Sequence, residues 1–179
     1  ASKIRHFICE SKLFLFLFIV LTSTLNISQV NAAEYDHQIG AFDSSFSDVK
    51  QSMQGKCDKL ESRTISKVLS VAQKSQRQLE CTGFEYFGEK RFVEMMFSDD
   101  KLDIIHIMNM RDMLPDLKHM LEVEFGEPTL STLAVDYFAV AGISLRVFPD
   151  EISFVSERAK EDYSKFVDEI KDNPLNMSL

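Results

Sequence analysis

The sequence predicts an α+β fold in which about three helices pack on an antiparallel sheet of short meander strands. Residues 81–110 contain three consecutive strand-like segments that are separated by short polar turns. An amphipathic helix follows at 112–125, and three more short strands are expected between residues 135 and 156. The order is helix, strands, helix, strands, helix. Because strands and helices do not alternate one by one, a doubly wound parallel sheet is disfavoured.

The first half of the chain is expected to start with a helix at 43–55, which Gly55 is placed to end. A charged connection follows at 57–63. The segment 64–73 fits a helical stripe and also a partial alternation, and its β-branched residues favour a strand. Three further strands are then predicted, at 82–87, 91–97 and 102–108.

The second half contains the clearest helix, 112–125. Pro115 is compatible only with the first turn of a helix, and Gly126 is placed to end it. The elements that follow are strands at 135–141, 143–148 and 152–156 and a last helix at 157–171. Each half therefore consists of a helix and a run of strands. This order leaves open two helix-plus-meander units that lie side by side in one sheet.

The first 32 residues have the layout of a secretory signal peptide. Lys3, Arg5 and Lys12 form a basic region before the uninterrupted apolar stretch 13–21, and Val30 and Ala32 occupy the −3 and −1 positions of a cleavage site. An apolar stretch of nine residues is too short for a comfortable membrane span. We therefore expect export to the bacterial periplasm with cleavage after Ala32. The alternative is an uncleaved N-terminus that anchors the protein in the inner membrane.

Residues 33–179 are expected to form a single α+β domain, with a flexible arm at 33–42 and a frayed tail at 174–179. The net charge of the full chain is −8. An acidic protein does not bind nucleic acid or anionic lipid through its overall charge. We therefore expect no nucleic-acid partner, and no stable membrane span once the signal is cleaved.

The cysteines indicate a disulfide. Cys9 lies in the predicted signal peptide, so Cys57 and Cys81 remain in the exported protein. An even pair in an oxidising compartment favours a disulfide, and two separately buried thiols are the alternative. A redox-active pair usually has Cys-x-x-Cys spacing, so a catalytic oxidoreductase is not expected.

The predicted strands at 91–97 and 102–108 carry apolar side chains at both parities, whereas a sheet with one wet face alternates more cleanly. Two interpretations stay open. The strands are covered on both faces by the core, or one face is an apolar surface for a partner. The residues that form the candidate interaction surface in the second case are Phe92, Met96, Ile105 and Ile107.

Short motifs in both halves carry a resemblance. The run Val123-Glu-Phe-Gly-Glu-Pro128, followed by an aromatic strand at 135–138 and a hairpin at 145–154, resembles small exported bacterial proteins of uncharacterised families. The runs 81–84 and 97–102 are similar to the first half of such proteins. The architecture also resembles the helix-plus-meander domains of outer-membrane assembly lipoproteins and of periplasmic inhibitor proteins.

The resemblance covers about residues 57–156, and its motifs are turns and helix stops. It implies a periplasmic protein that contacts other proteins, and it carries over no functional residue. The assembly lipoproteins have a cysteine directly after the cleavage site. This chain has none at that position, which puts a lipid anchor in doubt.

The chain offers little recognisable chemistry. The histidines outside the predicted signal are His37, His106 and His119, which lack the spacing of metal ligands. Asp99, Asp100 and Asp103 cluster near a turn but lack the calcium-loop pattern and its glycine. Nucleophile elbows and glycine-rich phosphate loops are absent from the sequence as well. We therefore expect no catalytic residue, no cofactor and no metal.

These observations predict a non-enzymatic periplasmic protein that binds another envelope protein, as a subunit of an envelope machine or as an inhibitor of a secreted hydrolase. Its oligomeric state stays open. One alternative is a carrier or sensor of a small apolar ligand, enclosed between the sheet and the helix at 112–125. A remote alternative is a hydrolase with an unconventional site, in which His106 meets a carboxylate and a hydroxyl.

Overall fold

The structure is a computed structural model that describes residues 38–172. The predicted signal peptide, its cleavage site, the first part of the predicted arm and the tail 174–179 lie outside the described residues. The described strands form one antiparallel sheet and are β1 (Lys59–Thr64), β2 (Gln76–Tyr86), β3 (Glu89–Ser98), β4 (Lys101–Met108), β5 (Leu130–Ser131), β6 (Val135–Phe138), β7 (Ile143–Val147) and β8 (Asp150–Val155). The helices are α1 (Phe46–Ser52), α2 (Leu114–Phe125) and α3 (Lys160–Asp172).

The strand order is β1-β2-β3-β4-β8-β7-β6-β5. Helix α1 precedes the meander β1–β4, and α2 precedes the meander β5–β8. The two meanders are joined where β4 pairs with β8, with Ile105 opposite Phe154 and His106 opposite Ser153. The predicted α+β class is therefore confirmed, and the sheet consists of two helix-plus-meander units.

Local sequence signals explain the helix ends. The Ser45 hydroxyl caps α1 by accepting the backbone N–H of Asp48 at 3.2 Å. Asp43 has a φ of +67°, so α1 begins later than the predicted residue 43. Helix α2 has its proline in the first turn and ends at Gly126, whose φ of +80° favours glycine.

Core residues lie on both faces of the sheet. This arrangement favours the first of the two interpretations of the strands with apolar residues at both parities. On the first face, α1 and α2 bury their apolar sides, including Phe46, Leu117 and Leu121, against β2–β4 and β7–β8. On the second face, α3 and the loop 65–75 pack on Ile104 and its neighbours. The core interpretation therefore accounts for most of the apolar residues at both parities.

Two predicted segments differ from the structure. Residues 57–63, expected as a connection, contain most of β1. Of the predicted strand 64–73, only Thr64 belongs to a strand, and 65–73 belong to a loop. Strand β1 lies at the sheet edge with exposed side chains, so no apolar alternation marks it. In the loop, Leu69 and Ala72 are buried, and their spacing of three residues does not follow the strand alternation.

Strand β2 begins at Gln76, earlier than the predicted residue 82. Gln76 and Gln78 are polar but buried, so the sequence does not mark them as strand residues. The Gln76 side-chain oxygen accepts the backbone N–H of Val68 at 2.7 Å, which ties the loop 65–75 to the sheet.

The predicted flexible arm does not hold for its described part, residues 38–42. Ile39 is buried in the core of the first face, and Phe42 packs against the same core. The reason is tertiary, because these residues run beside α1 and meet its buried side.

The predicted disulfide joins the start of the first meander to its second strand. Cys57 and Cys81 form this disulfide, with Cα atoms 5.4 Å apart. Cys81 is fully buried in the first-face core, directly opposite Leu60 of β1. The bond therefore pins the edge strand to the sheet.

Reducing the disulfide is expected to lower the free energy of unfolding by about 3 kcal/mol, because the bond closes a loop with a sequence separation of 24 residues. Urea unfolding with and without a reductant measures this loss. A Cys57→Ala/Cys81→Ala variant is the control, since its midpoint should not respond to the reductant. A wild-type midpoint that stays unchanged after complete reduction would contradict the prediction.

Candidate functional site

The four residues of the predicted interaction surface do not share one surface. Ile105 and Ile107 are fully buried in the first-face core, where they stand opposite Met95 and Val93 of β3. Phe92 and Met96 lie on the second face and are only partly buried. Side chains of a strand alternate between faces, so the odd-numbered pair on β4 and the even-numbered pair on β3 point in opposite directions.

Phe92 and Met96 belong to a part of the second face that we call the open half. The open half consists of the partly buried side chains of Glu80, Phe92, Glu94, Met96 and Met108. Helix α3 instead packs on the other meander, where the Tyr163 ring lies 5.5 Å from the Tyr137 ring. The open half is therefore mixed in character, with carboxylates beside apolar groups.

A buried polar cluster lies between the open half and α3. The Arg146 guanidinium contacts a Glu151 carboxylate oxygen at 3.0 Å, and the Ser153 hydroxyl donates to the same oxygen at 3.1 Å. His106 Nδ1 lies 2.9 Å from the Ser153 hydroxyl and 3.4 Å from that oxygen. Glu151 and Ser153 are fully buried. Three strands, β4, β7 and β8, thus meet at one carboxylate.

Burial and charge set the ionisation of this cluster. Burial by itself raises the pKa of Glu151, but His106, Arg146 and Ser153 outweigh it and hold the pKa below its ordinary value. Burial raises the pKa of the Tyr163 phenol to about 12. Burial also raises the pKa of Glu94, against the lowering effect of His106. At pH 7 the cluster therefore contains an ionised carboxylate, and the Tyr163 phenol, which interacts with Glu151, is neutral.

The cluster differs from a nucleophilic triad in its geometry. In a triad, the hydroxyl and the carboxylate contact different nitrogens of the histidine ring. Here Ser153 and Glu151 face the same nitrogen of His106, and the hydroxyl donates to the carboxylate. Neither group is accessible to a substrate, since both are fully buried. The arrangement is suited to holding three strands together.

The acidic residues near the β3–β4 turn also serve local structure. The Asp99 carboxylate accepts the backbone N–H groups of Ser75, Lys74 and Gln73, and these bonds lower its pKa. Asp103 is fully buried, and burial raises its pKa. Among residues 38–172, no group of three or more His, Cys, Asp or Glu side chains is placed to hold a metal ion.

Three exposed apolar side chains lie on two adjacent links at one end of the sheet, and we call them the apolar tip. They are Leu133 (99% exposed), Val147 (38%) and Phe148 (56%). The Val147 backbone N–H donates to the Ala134 carbonyl at 2.9 Å, which holds the β5–β6 link beside the β7–β8 turn. The Arg111 guanidinium lies 5.7 Å from the centre of the Phe148 ring and forms the rim of the tip.

The sequence does not reveal the apolar tip. Its strand pattern predicts Phe148 as the last residue of a strand, and it assigns no element to Leu133. Turns are rich in small and polar residues, so a large apolar side chain at a turn was the available signal. That signal becomes specific only when pairing of β6 with β7 brings the two turns together.

In residues 38–172, no helix is long and apolar enough to cross a membrane. We compared the chain with models of known protein families, with curated proteins and with solved structures, and none of them matches it.

Proposed function

We propose that the protein is a non-enzymatic binding protein of the bacterial periplasm, which acts through contacts with another envelope protein. The observation that carries this proposal is the apolar tip. The disulfide between Cys57 and Cys81 supports an oxidising compartment, because disulfides persist in exported proteins and are rare in the cytosol. The binding surface is therefore proposed at the end of the sheet and not on the faces of β3 and β4.

The composition of the apolar tip supports protein binding. Removing an exposed Leu or Phe side chain from water contributes about 1.5–3 kcal/mol, and Leu133 and Phe148 are both available for this. Aromatic residues and arginine are enriched at the energetic centres of protein interfaces. Phe148 with Arg111 beside it has this composition.

The size and position of the tip favour a partner with a recess. The tip consists of a few side chains on two adjacent links, at one end of β5–β8. Such a surface fits a pocket or cleft better than it fits a broad flat face. The binding function has two forms, a subunit of an envelope machine and an inhibitor of a secreted hydrolase. The tip therefore agrees better with an inhibitor that inserts into a hydrolase.

The two other functions receive less support. A carrier needs a space between the sheet and α2, but Leu117 and Leu121 are fully buried in one continuous cluster with the sheet. A hydrolase needs an accessible nucleophile, and Ser153 beside His106 is fully buried. The binding function therefore has the best support, because it requires neither a ligand cavity nor an accessible nucleophile.

Site-specific photo-crosslinking in the intact envelope tests the proposal. A photoreactive residue is placed at Leu133 or Phe148, and as the control at Val140, which is 76% exposed in the β6–β7 turn at the opposite end of the sheet. We expect a discrete adduct of one mass from the first two positions and none from the control.

Phe148→Ser is then combined with the probe at Leu133. We expect the adduct yield to fall about tenfold, the effect of a loss near 1.4 kcal/mol. Equal adducts from Val140, or none from any position, would overturn the proposal.

A further inference from the structure

The free edge of β1 is the longer of the two sheet edges. Strand β1 has six residues and, among the strands of residues 38–172, pairs only with β2, whereas β5 at the other edge has two residues. The charged side chains of Lys59, Glu61 and Arg63 are 65%, 57% and 59% exposed along it. We propose that this edge pairs with the same edge of a second copy, so that a two-fold symmetric dimer contains one continuous sheet.

The register with β2 identifies the backbone groups that point away from the sheet. The Ile65 backbone N–H donates to the Gln76 carbonyl at 3.1 Å, directly after the pair Thr64 and Arg77. In antiparallel pairing, alternate residues exchange hydrogen bonds with the neighbouring strand. Odd-numbered residues of β1 therefore bond to β2, and the N–H and C=O groups of Leu60, Ser62 and Thr64 point to the free edge.

These outward groups match those of a second copy that runs antiparallel. If the two-fold axis passes through Ser62, this residue faces itself, and Leu60 faces Thr64 of the second copy. The outward N–H and C=O groups of each chain then form about six hydrogen bonds between the chains. This register uses the whole length of the strand.

Side-chain charge agrees with the same register. With the axis at Ser62, Glu61 of each copy faces Arg63 of the other, which gives two opposite-charge pairs. An axis at Leu60 would also place Lys59 opposite Glu61, but it uses only part of the strand, because the Asp58 backbone N–H already donates to the Thr82 carbonyl. An axis at Glu61 would place that carboxylate opposite itself and Lys59 opposite Arg63. An axis at Arg63 would place two guanidinium groups opposite each other. Charged residues usually protect an edge strand from pairing, but here their alternating signs complement an antiparallel copy.

The contacts that Arg63 and Glu61 make within one copy are compatible with new ion pairs to the second copy. Arg63 Nε lies 2.6 Å from a Glu80 carboxylate oxygen, and a guanidinium has further donors for a second carboxylate. Glu61 contacts Lys59 at 2.7 Å, and both side chains are more than half exposed, so this pair contributes little. Dimer formation therefore replaces a weak pair and keeps a stronger one.

The dimer does not depend on the apolar tip. The tip belongs to β5–β8 and β1 ends the other side of the sheet, about 20–35 Å away at the usual strand spacing. Dimerisation thus leaves both tips free and places them near the two outer ends of the assembly. Failure of a tip variant to bind a partner would say nothing about the dimer.

The molar mass of the exported chain, measured by light scattering during gel filtration, tests the proposal. We expect a dimer for the wild type. Ser62→Pro removes the outward N–H at the axis and leaves the bonds to β2 in place, so the dimer dissociation constant should rise at least about tenfold. Ser62→Ala is the matched control and should remain dimeric, as should Phe148→Ser.

Charge reversal supplies a second test that does not depend on proline. Arg63→Glu should give a monomer, and the double variant Glu61→Arg/Arg63→Glu should restore the dimer because it restores both opposite-charge pairs. Circular dichroism confirms that each variant is folded. A monomeric wild type, a folded Ser62→Pro variant that is fully dimeric, or a folded double variant that stays monomeric would overturn the proposal.

Discussion

Glu151→Ala is expected to lower the free energy of unfolding at pH 7 by about 3–5 kcal/mol. The carboxylate is fully buried, and it contacts Arg146 at 3.0 Å and the Ser153 hydroxyl at 3.1 Å. Without it, the Arg146 guanidinium stays buried with no opposite charge at that contact, which costs more than the lost pair itself. Urea unfolding followed by circular dichroism measures the change.

The same residue predicts a pH dependence. Its neighbours lower the folded-state pKa of Glu151 below the ordinary value of 4.5, so its stabilising contribution is complete above that value. The contribution is lost as the pH falls through the lowered folded-state pKa. The difference in unfolding free energy between wild type and Glu151→Ala should therefore shrink on acidification, and the difference isolates Glu151 from other carboxylates.

The control replaces both partners by apolar residues of similar size. Arg146→Met/Glu151→Leu should recover most of the stability that Glu151→Ala loses, because no uncompensated charge is left in the core. A Glu151→Ala variant as stable as the wild type would show that the cluster does not hold β4, β7 and β8 together.

Phe97→Ala is expected to lower the free energy of unfolding by about 3–5 kcal/mol. Phe97 is almost completely buried in the first-face core, and its ring meets the Phe46 ring edge-on at a centroid distance of 5.1 Å. The substitution removes a large side chain from a packed site and also the contact that anchors α1 to the sheet. Thermal and urea unfolding measure the loss.

Phe92→Ala is the matched control on the same strand. Phe92 lies on the open half of the second face and is only partly buried, so its truncation should cost about 1 kcal/mol. Equal losses for the two variants would contradict the assignment of Phe97 to the core and Phe92 to the open half.

The elements with local signals could be predicted from the amino-acid sequence. Pro115 and Gly126 mark both ends of α2, and the turns around β3 and β4 mark those strands. The disulfide followed from the number of cysteines in a chain expected to be exported, without any geometry. These features were predictable because a few neighbouring residues carry their physical cause.

The features that depend on strand pairing could not be predicted from local sequence signals. β1 is a strand because β2 accepts and donates its backbone bonds, and the polar Gln76 is buried where its side-chain oxygen accepts backbone N–H groups of the loop 65–75. Alternation within a strand is a local property, but the face on which each parity lies depends on neighbouring strands. For that reason the four residues of the predicted surface lie on opposite faces, Ile105 and Ile107 on one and Phe92 and Met96 on the other. The two links of the apolar tip likewise come together only through the pairing of β6 with β7.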